Sequence, residues 1–220
     1  MSGAAEPTAV TQWVENPEGG RRRGPRGLAR AWVEVLVRPR RFFRTGVAPA
    51  DQAPGLTFAL AVAFAFVGGR LLLSPESLSG YDHVVAATGR PVLSAVVLAG
   101  AIGFLVAPLV LHLAAALATL SLMAVVDDRA GISETVQVVA YASAPAVFVA
   151  VPHPAVQVGA ASYGALLVAV GFAVVHETSP PRAAVAAVLP AVFVFGFAFG
   201  GIGAIETVTG LEVTGNRTAG

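Results

Sequence analysis

The residues best equipped for chemistry in this chain are its four histidines, His83, His112, His153 and His176. Two metal ligands on one helix face need a spacing of three or four, and no pair of these histidines has it. His176-Glu177 begins as a zinc-protease motif does, but Pro180 stands where the second histidine is required. There is no Cys, which excludes disulfides, thiolate metal sites and thiol nucleophiles. No acid, base and nucleophile group together elsewhere. The chain is therefore expected to be non-enzymatic, with no catalytic residue, no metal site and no cofactor. His83, His153 and His176 fall in polar loops, where a solvated ring is the ordinary reading. His112 lies deep in an apolar run, where an ionisable group is costly. A neutral ring bonded to a neighbouring helix would satisfy it there.

The elements that must position these residues are five long apolar stretches, at about 56–73, 92–126, 135–151, 156–175 and 183–203. A bilayer core takes about 20 mostly apolar residues per helical span. The chain is 55% hydrophobic and 12% charged, where a soluble domain carries about 25% charged residues. The expected fold is an all-α, polytopic bundle of five membrane-spanning helices over residues 51–204. The second stretch, 36 residues from Pro91 to Val126, is too long for a simple span, since a helix of that length reaches ~54 Å. A hairpin at Pro108 would give six spans, but a water-exposed turn calls for polar residues and this stretch has none. One long helix kinked at the proline is expected instead.

Charge is distributed unevenly. All 14 basic residues are Arg, and nine of them precede residue 50. With abundant Ala, Val and Gly, the absence of lysine points to a GC-rich prokaryotic genome, archaea included. Residues 1–27, rich in Gly, Pro and Arg, read as a flexible tail, with no cleavable secretory signal expected. Basic residues favour cytoplasmic loops. Five spans with the N terminus inside leave only Arg90 and Arg217 outside, Arg70 being within a span. The expected location is the cell membrane, N terminus cytoplasmic and C terminus outside. Arg70 can snorkel to the headgroups, and Asn216-Arg217-Thr218 fits a glycosylation sequon on the outer side.

Between tail and first span, residues 28–50 form an amphipathic segment. Leu28, Ala31, Trp32, Val35 and Leu36 recur at helical spacing, with Arg30, Glu34 and Arg38 on another face. Pro39 stops that helix, and Arg40-Arg41-Phe42-Phe43-Arg44 follows. The pattern suits a helix in the headgroup plane, with Trp32, Arg38, Arg40, Arg41, Phe42, Phe43 and Arg44 as its membrane-surface residues. A short helix docked on the rest of the protein is the alternative. The expected partners are the lipid bilayer, its anionic headgroups at ~1 kcal/mol per Arg, and an unknown protein or a second copy of the chain. Nucleic acid is not expected, because no RNA-binding fold accompanies Arg21-Arg22-Arg23.

Inside the spans two motifs bear on helix geometry. Tyr141 and Pro145 are one turn apart, so the proline frees the Tyr141 carbonyl, and a kink there could open a small polar pocket. Gly196-x-x-x-Gly200 in the last span reads as a face for close helix packing. Residues 205–220 read as a flexible polar tail.

The order of these pieces resembles the Yip-domain family of five-span membrane proteins, relatives of Rab-GTPase-interacting factors. The likeness runs over about residues 33–203. It begins at Val35-Leu36-Val37-Arg38-Pro39-Arg40-Arg41-Phe42-Phe43, ahead of the first span, and continues at the polar link Gly131-Ile132-Ser133-Glu134-Thr135. Ala140-Tyr141-Ala142-Ser143-Ala144-Pro145 is close to a Tyr-Ala-x-x-Pro signature, and Val175-His176-Glu177-Thr178-Ser179-Pro180-Pro181-Arg182-Ala183 is similar to the histidine-containing link between the last two spans. The resemblance implies a helical membrane domain that binds proteins or shapes membranes, without catalytic chemistry, and assigns family-motif roles to Tyr141, Pro145 and His176. The function expected is a scaffold or adaptor in membrane organisation or protein trafficking, with no GTPase partner carried over. The alternative is a small-solute transporter or channel, lined by the Tyr141–Pro145 bend and His112.

Overall fold

The computed structural model describes residues 24–211; Arg21-Arg22-Arg23 and the Asn216-Arg217-Thr218 sequon lie outside the described residues. Proline sets where most helices begin, since its missing N–H is one that a first turn leaves unbonded anyway. Proline occupies the first or second position of α1 (Pro25–Val37), α2 (Pro39–Thr45) and α3 (Ala53–Leu73). α4 (Tyr81–Thr88) lies in the 74–90 stretch, which has the composition of a loop; Gly80 and Gly89, both left-handed, bound it.

The second long stretch is one unbroken helical run. α5 (Pro91–Ala101) passes through a π-helical turn, Ile102–Val106, into α6 (Ala107–Val125). In that wider turn the Ala107 N–H bonds back to the Ile102 carbonyl, just ahead of Pro108, which has no N–H of its own to bond. The bundle therefore has five helical runs long and apolar enough to cross a membrane: Ala53–Leu73, Pro91–Val125, Ile132–Ala150, Pro154–Val175 and Pro180–Ala198. No strand occurs among the described residues.

α7 (Ile132–Ala142) tightens into a 3-10 helix, Ala144–Ala150, at Pro145. α8 (Pro154–Val175) and α9 (Pro180–Ala191) form an antiparallel pair, and α9 continues through a π-helical stretch, Val192–Ala198. α10 (Gly201–Thr209) then makes residues 205–209 helical, where the sequence alone had placed a flexible tail. The third span is the axis of the bundle, with 72% of its apolar stretch buried, against 11% for the second. Glycines on α8 let its neighbours close in. On α8, a Cβ added at Gly171 would sit 2.4 Å from Val138 and one at Gly164 would sit 2.2 Å from Phe195.

Candidate functional site

α1 and α2 do not stand apart from the membrane bundle. α1 turns Ala31 and Val35 inward, both wholly buried, and α2 turns in Phe42 and Phe43 at 0% and 2% exposure. An aromatic cluster forms where these helices meet α3 and α7. Phe42 and Phe58 each meet the Tyr141 ring edge-on, at centroid distances of 4.8 and 5.2 Å, and Trp32 lies 5.2 Å from Phe58. Such pairs add ~0.5–1.5 kcal/mol each beyond the area they bury.

Three long-range contacts lock this cluster. Trp32 Nε1 donates to the Ala144 carbonyl at 3.0 Å, and Ala144 opens the 3-10 helix just ahead of Pro145. The Tyr163 hydroxyl on α8 donates to the Leu36 carbonyl of α1. The buried Gln137 side chain holds the connection between α2 and α3: its Oε1 accepts from the Ala48 N–H at 2.9 Å, and its Nε2 donates to the Ala48 carbonyl at 2.7 Å. Glu134, one turn earlier, accepts from the Ala50 N–H at 3.3 Å.

The expected membrane-surface set is thereby divided. Phe42 and Phe43 belong to the interior and Trp32 is half-buried against it, whereas Arg38, Arg40, Arg41 and Arg44 remain exposed. Arg41 lies 3.7 Å from Glu34. α1 keeps a second apolar pair on its outer side, Val33 and Val37, 61% and 69% exposed and flanked by Arg30, Arg38 and Arg41. Gln137 and Tyr163 escaped the sequence reading. The signal for Gln137 was an amide inside an apolar run, where an unbonded polar group is costly.

His176 is 2% exposed, not the solvated loop ring its polar surroundings imply. Its Nε2 lies 3.5 Å from Thr135 Oγ1, and the ring meets Phe172 edge-on. The Thr135 hydroxyl also donates to the Gly131 carbonyl at 3.1 Å, an arrangement compatible with a neutral ring that carries its proton on Nε2. Burial pushes the His176 pKa down to about 4, with Arg129 acting in the same direction and Glu134 opposing.

The remaining expectations are not drawn together into a path. His112 faces outward, and its Nδ1 bonds the Pro108 carbonyl of its own helix at 2.7 Å rather than a neighbouring helix. Tyr141, by contrast, is wholly buried in the aromatic cluster. The pocket beside the Tyr141–Pro145 bend is apolar, not polar: a cavity of about 80 Å³ whose one polar side chain is Ser143. The Ser143 hydroxyl is already donated to the Ala140 carbonyl. Gly196 and Gly200 do not share a packing face, because the helix ends between them and Gly200 takes a left-handed conformation, φ +77°. Arg70 reaches the Ser77 hydroxyl at 3.0 Å and lies over the Phe66 ring, the geometry of a cation extended toward the membrane surface. Among the described residues, no three His, Asp or Glu side chains cluster as metal ligands do.

No curated protein and no solved structure gives a match to this chain. The Yip1 domain family matches residues 33–202, a stretch that takes in the end of α1, all of α2 and all five apolar helical runs. A match over so much of the chain, on the five-helix arrangement just described, places the protein in the Yip1 domain family of integral membrane proteins.

Proposed function

We propose that the protein is a non-enzymatic membrane scaffold or adaptor, acting in membrane organisation or protein trafficking from the face that carries α1 and α2. In this reading the N terminus and that face are cytoplasmic and the C terminus is outside, as the arginine distribution favours. The observation that carries it is the clamp. Aromatic packing and three long-range contacts fix a short amphipathic helix pair on the bundle, while Val33 and Val37 stay exposed among arginines. An apolar pair rimmed by cations on a rigid platform suits recognition of an acidic, amphipathic protein segment.

The test is photo-crosslinking from position 29 of the full chain in native membranes, with the double variant Val33→Glu, Val37→Glu as comparison. The reading requires reproducible capture of a second protein, lost in the variant while membrane insertion stays intact. Capture of lipid alone, or equal capture by both forms, overturns the adaptor.

A further inference from the structure

We infer that the groove between α2, α8 and the start of α9 is a binding site for one anionic phospholipid of the leaflet facing α2. The inference rests on the five helical runs lying in a bilayer, and it is independent of any protein partner. Arg40 and Arg44 are one turn apart on α2 and stand at the mouth of a groove of about 800 Å³, within the range of ligand sites. Neither makes an ion pair among the described residues.

Below them runs a stripe of α8: Leu166, Val170, Ala173 and Val174 line the groove, one helix face by their spacing. From Val174 to Leu166 the stripe extends ~12 Å along the helix. One leaflet of a bilayer core is ~15 Å deep, so the stripe matches the upper part of an acyl chain in a single leaflet. Glu177 and Thr178 also line the groove. Two cations against one carboxylate leave the mouth net positive, which favours an anionic headgroup over a zwitterionic one.

The sequence builds this site by burying what lies between the arginines. Phe42 and Phe43 point inward, and Phe43 reaches the space over Gly171, where a Cβ would come within 3.1 Å of its ring. α2 is thereby pressed onto α8 with Arg40 and Arg44 held on its outer side. A guanidinium is suited to a phosphate diester because its planar fork can donate two hydrogen bonds at once. The occupant is a membrane lipid because the floor is apolar at the depth of the acyl chains, where a soluble phosphate compound leaves that surface uncovered.

The experiment is native mass spectrometry of the full chain released from nanodiscs of mixed phosphatidylglycerol and phosphatidylcholine. Expected is one retained phosphatidylglycerol, with occupancy falling about 30-fold in Arg40→Gln, Arg44→Gln, roughly fivefold per cation. Arg38→Gln, which removes a cation outside the groove, keeps it. Val170→Trp, which fills the floor and leaves both arginines, loses it. Equal losses in Arg38→Gln and in the double variant, equal retention of both lipids, or unchanged occupancy in Val170→Trp would each overturn the site. So would a peptide recovered in the groove in place of lipid. None of these readouts depends on the partner capture that tests the adaptor.

Discussion

Gln137 and Ala48, 89 residues apart in sequence, exchange two hydrogen bonds: the side-chain amide of one donates to and accepts from the backbone of the other. The contact stands in for a ladder pair and ties the chain entering the first span to the axis of the bundle. Replacing Gln137 with Leu leaves a buried N–H and a buried carbonyl without partners, each costing ~1–3 kcal/mol. The variant should melt well below the wild type in detergent, and limited proteolysis should cut near residues 46–52 first. An unchanged melting point would show that water replaces the amide at no cost.

At Gly171, α8 packs tightly against Val138 of α7 and Phe43 of α2. Gly171→Leu forces a Cβ to 2.4 Å from Val138 and to 3.1 Å from Phe43. Overpacking of this kind costs ~1–3 kcal/mol. Gly159→Leu, which meets nothing within 4 Å on the same helix, is the matched control. Thermal unfolding of both should separate them; equal stability would mean that α2 moves off the bundle freely.

Gly200 makes a different prediction from the glycine-pair motif it belongs to. A Cβ there meets nothing within 4 Å, but the left-handed backbone at φ +77° disfavours any L side chain. Gly200→Ala should destabilise the turn into α10 by ~1–2 kcal/mol, and Gly200→Asn by less. Size-exclusion behaviour should stay the same. A change of oligomeric state without loss of stability would restore the packing-face reading.

His176 gives the protein an acid-sensitive joint. Its folded pKa of about 4 lies below the usual 6.5, so the unfolded chain binds a proton that the folded chain excludes. Stability from this group is therefore full above pH 6.5 and is lost as pH falls toward 4. His176→Gln, which keeps a polar side chain that cannot titrate there, should flatten the stability profile between those values. A profile that keeps its slope in the variant would assign the acid sensitivity to carboxylates.

The span pattern was legible because a bilayer imposes a length and an apolar composition that single residues cannot disguise. The unbroken second helix was legible too, since the residues around Pro108 offer no turn chemistry. What stayed hidden depends on contacts distant in sequence. The periodicity of α1 shows an apolar stripe at Ala31, Trp32 and Val35, and that stripe fits lipid as well as it fits Ala144 and Phe58. Phe42 and Phe43 between arginines carry the composition of a membrane-surface motif, and only the approach of Gly171 and Tyr141 turns them inward. His176 likewise sits among polar neighbours in sequence but under Phe172 and Thr135 in space.

The third span is both the most enclosed of the five and the least apolar, with mean hydropathy 1.3 against 2.4 for the second. Lipid alone rewards such a helix poorly, and Gln137 and Thr135 within it also bond to groups on other elements, the Ala48 backbone and His176. The expected consequence is an ordered biogenesis, checked by glycosylation-mapping of truncated chains. The strongly apolar spans should enter the membrane on their own merit, and the third should be retained only once the helices that close around it are present. A change that weakens those helices should then lower insertion yield before it alters molecules already assembled.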